Sequence, residues 1–367
     1  MADTTKPNLS VIILSYNGMA HLPECIRSIQ AQHYAGYELI VVDNGSTDGS
    51  PQYIAETFPE IRLVKLNTNM GFCEGMNRGM KQANGKLALL LNQDISLHPD
   101  CFTALMDTWK HPPPDMLLEN AHQQHRPVIG VFPKIVFHHA ALFINAFGVE
   151  WNQYCHWHDN RVGLPDLGAF DQPETVFGSI FPAVLFDRQT FLDIGGFDNR
   201  FVSYCEDFDV CYRSNILGYR FVTAPRAVIR HKYRASSTDT TNPLEARFIF
   251  LRNYMLVFLK NYQLINLFRY GPGIFHRYLW STFRHSVITR NKSEMLMVLR
   301  ILGSLAKRIP HIIRQRRRLS RLRQFDDKTF WSTEKVEDYN PFHVENSIVL
   351  SLRSLRAGRG RKAECEK

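Results

Sequence analysis

The sequence predicts an α/β fold, a parallel sheet with helices on both faces, followed by a mostly helical C-terminal extension. Three observations predict it. Over the first hundred residues, short apolar runs alternate with segments of helical period. Polar residues gather directly behind those runs. From about residue 240 the pattern changes to long helical stretches rich in aromatics and arginine.

LSVIILS (9–15) is a nearly continuous apolar run and reads as a buried strand. Residues 19–32 place Leu22, Ile26 and Ile29 on one helix face. YELIVVD (37–43) is a second strand, and Asp48 in the following GSTDGS is placed to cap a helix over 50–57. IRLVKL (61–66), a helix over 72–83 and the strand KLALLL (86–91) continue the alternation. HPPPDMLLENAHQQHR (111–126) reads as a loop. Strands are expected near 128–137 and 177–186, a helix over 205–217, and two short strands at RFVTA (220–224) and AVIRH (227–231). The expected division is a catalytic part over 1–240 and a helical region over 241–367, parting near TDTTNP (238–243).

At 367 residues, 44% hydrophobic and 22% charged, the chain has globular composition. No secretory leader and no run of 18 apolar residues is visible, and seven scattered cysteines suggest no disulfide framework, so a cytoplasmic location is expected. The net charge of +9 is uneven. Leu244–Trp331 holds 18 Lys or Arg against 4 Asp or Glu, a net +14, leaving −5 for the rest. That asymmetry points to an anionic partner for the C-terminal part.

Four clusters carry candidate chemistry. In open α/β sheets ligands bind beyond the carboxyl ends of the strands. Ser15, Tyr16 and Asn17 follow the first strand, Asp43 opens VVDNGSTDGS, and Asn92-Gln93-Asp94 follows the fourth. A carboxylate at Asp94 suits a divalent cation bound together with phosphate oxygens. Glu206-Asp207, in YCEDFD at a helix start, suits a general base, because a hydroxyl attacks well only as its proton is withdrawn. His231 closes AVIRH and could complete a metal shell.

Taken together, VIILSYNG (11–18), VVDNGSTDGS (41–50), NMGFCEGMNRGMKQANGK (69–86), LLNQD (90–94), GGFDNRFVSYCEDFDVCYRSNILGYRF (195–221) and AVIRH (227–231) resemble the family 2 glycosyltransferases with the GT-A nucleotide-sugar fold, the bacterial rhamnosyltransferase branch above all. The resemblance covers roughly 9–237. It implies that Asp43 contacts the nucleobase with Ser15–Asn17, and that Asn69, Gly71, Asn77 and Lys81 line the sugar-nucleotide site. Asn92 and Asp94 would hold ribose and metal, Mg²⁺ or Mn²⁺, with His231 as a second metal ligand. Asn92 stands where many members carry Asp, and Gln93 replaces a proline. Asp207 matches the family's catalytic base, with Glu206 second. The implied reaction is a single inverting displacement, with dTDP-rhamnose as first donor, a UDP-sugar as second, and a glycan or polyprenyl-linked acceptor. An inactive scaffold of the same fold is the competing class, and intact Glu206, Asp207 and Asp94 argue against it.

Cys155, His156, His158 and Asp159 match no structural zinc spacing, so an acceptor-side loop with Trp151, Tyr154 and Trp157 is expected there. ARFIFLRNYMLVFLKNY (246–262), LFRYGPGIFHRYLWSTFRH (267–285) and LRILGSLAKRIPHIIRQRRRLSRLR (299–323) suit helices lying on an anionic membrane surface. No recognition fold accompanies RQRRRLSRLR (314–323), so nucleic acid is not expected as a partner.

Overall fold

The computed structural model describes residues 7–117, 126–158, 161–232 and 243–332. Strand and helix alternate from the start: β1 (Leu9–Ser15), α1 (Leu22–Gln30), β2 (Tyr37–Asp43), α2 (Ser50–Thr57), β3 (Arg62–Lys65), α3 (Gly71–Gln82), β4 (Leu87–Asn92), β5 (Ile95–Leu97) and α4 (Cys101–Lys110). Then come β6 (Val128–Phe137), β7 (Ala140–Ala146), β8 (Glu150–Trp151), β9 (Trp157–His158), β10 (Thr175–Val176), β11 (Ala183–Asp187), α5 (Arg188–Asp193), α6 (Glu206–Ile216) and β12 (Arg220–His231). Helices α7 (Pro243–Asn261), α8 (Leu264–Phe275), α9 (Ser281–Ile288) and α10 (Lys292–Leu322) follow, α8 and α9 joined by a π-helical stretch at His276–Trp280.

The main sheet runs β10-β12-β6-β11-β4-β1-β2-β3, with β5 on β12 and β7 on β6. β1 pairs in parallel with β2 and β4, whereas β11 runs antiparallel to β4 and β6, so the sheet is mixed. The apolar runs are continuous because both faces are covered. Val11, Ile13, Val41, Leu89 and Leu91 pack with α1 and α4, and the alternate residues Ile12, Ile40, Val42, Ala88 and Leu90 pack with α3. On α1, the expected Leu22, Ile26 and Ile29 are the buried face.

Two sequence expectations change. The two short strands at 220–231 are one strand, β12, whose register against β6 shifts between Ala224 and Val228. Pro225 lies in that shift, where the missing amide costs no ladder bond. The strand expected at 177–186 reduces to β11, because Phe177–Pro182 carry the chain between β10 and β11. Part of the 111–126 loop lies outside the described residues.

The change at residue 240 is one of element type. The strands end at His231 and the chain is helical from Pro243 to Leu322, yet Tyr254, Leu256, Phe258, Ile301 and Leu305 share a hydrophobic cluster with Trp151, Phe208 and Tyr212. Trp151 is buried beneath the helices; its indole N–H donates to Tyr262 Oη at 2.8 Å and its ring stacks on Phe177. It is therefore a core residue and not the acceptor-side aromatic expected from its neighbours. Among the described residues no helix is long and apolar enough to cross a membrane.

Candidate active site

The parallel register β1–β2–β4 sets Ser15 beside Asp43 and Leu14 beside Asn92, so the three strand ends share one edge. Gln93 clasps that edge. Its Oε1 accepts from Ser15 Oγ (2.9 Å) and Tyr16 N (3.1 Å), and its Nε2 donates to Tyr16 O (3.0 Å). A Cβ at Gly18 would meet both Gln93 Oε1 and Ser15 Oγ at 2.4 Å, so only glycine fits there. The Gln93 that replaces a proline is thus bonded to the backbone of the candidate base pocket. Asp43 accepts from Ser46 N (3.1 Å), and Asn17, in a left-handed conformation (φ 46°), accepts from Thr47 N (2.9 Å) and donates its own N–H to Ser46 Oγ (2.9 Å). Asp48 accepts from Ser50 N, as expected of it, and also from Met19 N (2.8 Å). The loops after β1 and β2 are therefore hydrogen-bonded to one another.

Asn44 carries this network onward. Its Nδ2 donates to Asn69 Oδ1 (3.0 Å), its Oδ1 accepts from Met70 N (2.9 Å), and Asn69 Oδ1 also accepts from Gly71 N (2.9 Å). Gly71 has φ 79°, and a Cβ there would lie 2.6 Å from Val202 Cγ1. Asn77 is buried and spends its amide on structure: Nδ2 donates to Phe197 O and Asn199 Oδ1, and Oδ1 accepts from Phe197 N. Lys81 does not join the others. It lies ten residues beyond Gly71 in the last turn of α3, about 15 Å along the axis. There Gln82 bonds Arg62, at the beginning of β3 and thus the opposite sheet edge.

Asp94 and His231 meet because β5 pairs antiparallel with the end of β12, His231 opposite Ile95. Asp94 Oδ2 lies 3.6 Å from His231 Nε2, and both residues are buried. His231 Nδ1 sits 2.7 Å from Asn145 Oδ1 on β7. A carboxylate oxygen and an imidazole nitrogen so placed are donor types that Mn²⁺ accepts, so the residues fit a divalent cation. Among the described residues no group of three or more His, Cys, Asp or Glu could hold a metal by itself. Asp159 and the side chain of His158 lie outside the described residues, and Cys155 and His156 are buried.

Glu206 and Asp207 open α6, preceded by a turn in which Val202, Tyr204 and Cys205 all have positive φ (67°, 67° and 64°). Left-handed non-glycine residues cost on the order of 1–3 kcal/mol each, and such strain gathers at functional sites. Asp207 Oδ1 accepts from Phe208 N (2.8 Å). Enclosure by the surrounding chain raises its pKa to about 7. Glu206 is raised well above the carboxylate range, by burial first and then by the neighbouring Asp207 charge. Asp209, the third acid of the cluster, is structural: it bonds Arg213 (2.8 Å), Lys260 (2.7 Å) and Asn261 Nδ2 (2.8 Å). Lys260 also bonds Asp198 of the GGFD turn (2.8 Å), which His311 of α10 meets at the same distance. Burial pushes Asp198 up, but Lys260 and His311 together hold it below the usual carboxylate range. Asn44, Asn145 and Lys260 were not legible from the sequence, because each acts through a partner remote in sequence.

Residues 10–123 match the Glycosyl transferase family 2. The chain is similar to the N-acetylglucosaminyl-diphospho-decaprenol L-rhamnosyltransferase of Mycobacterium tuberculosis, 24% identical over 265 residues, covering 66% of this chain and 83% of that one. It is 27% identical over 243 residues to the O-antigen biosynthesis protein RfbC of Myxococcus xanthus, covering 64% of this chain and 18% of RfbC. Among solved structures, Staphylococcus aureus TarS 1–349 in complex with UDP-GlcNAc aligns at TM-score 0.51 and 16% identity, covering 86% of this chain and 83% of that one. GalNAc-T7 with UDP, GalNAc and Mn²⁺ aligns at TM-score 0.52 and 16% identity, covering 70% of this chain and about half (48%) of that one. The fold is GT-A, and the match to the Glycosyl transferase family 2 spans the strand–helix alternation from β1 to α4.

Proposed function

We propose that this glycosyltransferase inverts the anomeric centre of a nucleoside-diphosphate sugar, with Asp207 as the base. The observation that carries this reading is Asp207 itself, at the head of α6 with a pKa near 7. A base of that strength is half ionised at neutral pH and still takes a proton readily. Asp207 withdraws the acceptor hydroxyl proton as the oxygen attacks, and the nucleoside diphosphate departs from the opposite face. Glu206 is buried beside it, its pKa raised well above the carboxylate range by burial and by the neighbouring Asp207 charge. Asp43 and the Ser15–Asn17 backbone take the nucleobase, and Asn92 faces the ribose. Asp94 and His231 hold a divalent cation, which when bound neutralises charge on the departing diphosphate.

The donor is dTDP-rhamnose and the acceptor a polyprenyl-diphosphate-linked glycan; the name of the M. tuberculosis relative supports rhamnose as the sugar and the lipid-linked acceptor. The C-terminal helices rest on the anionic leaflet carrying that acceptor. Support comes from exposed Leu264, Ile265, Phe268, Phe275 and Trp280, among exposed basic residues such as Arg269, Arg277 and Arg284.

Thermal unfolding with dTDP, UDP and their sugars, with and without Mn²⁺, tests the donor assignment. A ligand at a hundred times its Kd stabilises by about 2.7 kcal/mol, enough to raise Tm visibly. The expected result is a Mn²⁺-dependent rise, largest with dTDP-rhamnose. A rise with UDP compounds alone reassigns the donor, and no rise with any of them removes the nucleotide-sugar reading.

A further inference from the structure

The turn that presents Asp207 is held by the C-terminal helix α7. Asn253, on α7 and fully buried, places its amide nitrogen within hydrogen-bond distance of three backbone carbonyls of that turn, Phe201 O (2.9 Å), Ser203 O (2.7 Å) and Tyr204 O (2.7 Å), so its two N–H groups are shared among three acceptors. Of these three residues only Tyr204 is left-handed (φ 67°), and three carbonyl oxygens brought this close to one point repel unless donors are placed among them. The amide cannot turn over. Its Oδ1 accepts from Arg252 Nε (3.0 Å) and Nη2 (2.7 Å), and Arg252 Nη2 also donates to Phe201 O (3.1 Å). A flipped amide would point its oxygen at three carbonyl oxygens and its N–H groups at a guanidinium. On the far side the same turn meets α3, where Cys73 N donates to Val202 O (3.2 Å) and Gly71 leaves room for Val202. The turn is therefore gripped between α3 and α7, with Asp207 two residues beyond Cys205.

We propose that Asn253, oriented by Arg252, is a positioning residue for the transfer reaction. It fixes the left-handed 202–205 turn and so the direction in which Asp207 faces the acceptor. Helix α7 thereby belongs to the active site and is more than a support for the sheet. This inference rests on the reading of Asp207 as base.

The test compares wild type with Asn253→Asp, which keeps size but replaces the donors with a carboxylate, and with Asn253→Gln and Arg252→Gln. The probes are dTDP-rhamnose and UDP-GlcNAc, with release of the nucleoside diphosphate measured across pH 5–9 and water as acceptor. Melting temperature is recorded alongside. The expected result for folded Asn253→Asp is at least a tenfold fall in kcat, donor KM within about twofold of wild type, and a shift of the pH midpoint by more than half a unit. Asn253→Gln, which restores the donors one methylene further out, should recover part of the rate. A folded Asn253→Asp with an unchanged midpoint, or with kcat and KM changed in proportion, overturns the proposal. If Asn253→Asp does not fold, Arg252→Gln decides by the same kcat and midpoint criteria, since it frees the amide without burying a charge. Asp207→Asn is run in parallel: retained turnover there removes the base assignment itself, an outcome distinct from failure of the Asn253 variants.

Discussion

Asp207→Asn removes the proton acceptor but keeps the size of the side chain, and it separates catalysis from stability. A positioned base contributes roughly 10²- to 10⁴-fold, so turnover should fall by that factor while nucleotide binding survives. Wild-type rate should rise with pH through about 7 as Asp207 ionises. Near-wild-type turnover would take Asp207 out of the role. The stability sign is opposite. The folded pKa lies above the ordinary carboxylate value of 3.8, so the native state binds the proton more tightly than the unfolded chain. Asp207 thus contributes stability below about pH 4 that is lost as pH rises through 7. The Asn variant should therefore gain Tm relative to wild type on going from pH 4 to pH 8, and differential scanning calorimetry at both pH values checks it. Asp43, Asn92, Asp94 and His231 stood out as candidates in the sequence because each follows or closes an apolar strand, where the chain leaves the sheet. Lys81 was not placed correctly by resemblance. Helix direction decides its position, and ten residues of α3 carry it to the wrong edge.

At the scale of elements, α8 shows an exposed apolar row with no cover among the described residues: Leu264, Ile265 and Phe268 are 60%, 69% and 73% exposed. Replacing exposed apolar groups with serine alters the folded state little, yet each removes about 1.5–3 kcal/mol of possible burial elsewhere. The double variant Ile265→Ser/Phe268→Ser should keep its Tm and its nucleotide-induced shift. Its sedimentation with vesicles containing phosphatidylglycerol should fall about tenfold or more, and wild-type binding should weaken as salt screens the arginines. Equal sedimentation of variant and wild type would refute the membrane assignment for this face. Interleaved aromatic and basic residues over 267–285 marked a surface-lying helix, but nothing in the sequence said which face the core would take. In α10 the packing on α7 buries Met297, Val298, Ile301 and Leu305 and leaves Leu296, Leu299 and Leu302 outside.

At the scale of the whole molecule, the helices after residue 240 complete the core of the part before it. Trp151, Phe208 and Tyr212 are covered by Tyr254, Phe258 and Tyr262, and Asp209 and Asp198 find their cation in Lys260. A chain ending at residue 240 would expose that aromatic cluster and leave Asp209 without its lysine, losses of several kcal/mol each. It should lose near-ultraviolet circular dichroism and cooperative unfolding. A truncated chain that melts cooperatively and binds nucleotide would show that the helices are dispensable to the fold.

The sequence by itself determined the alternation of strands and helices, the edge where the polar residues collect, and the class of chemistry. Apolar period and strand ends are local properties, so local residue patterns suffice to specify them. Only the tertiary structure decided that β5 folds back on β12 to set Asp94 beside His231, and that Gln93 clasps β1. It alone brought Asn253 to the turn before Asp207, fifty residues away. Those pairings depend on which buried polar groups find partners when the sheet and helices close on one another, and a hydrogen bond across such distances leaves no period in the chain.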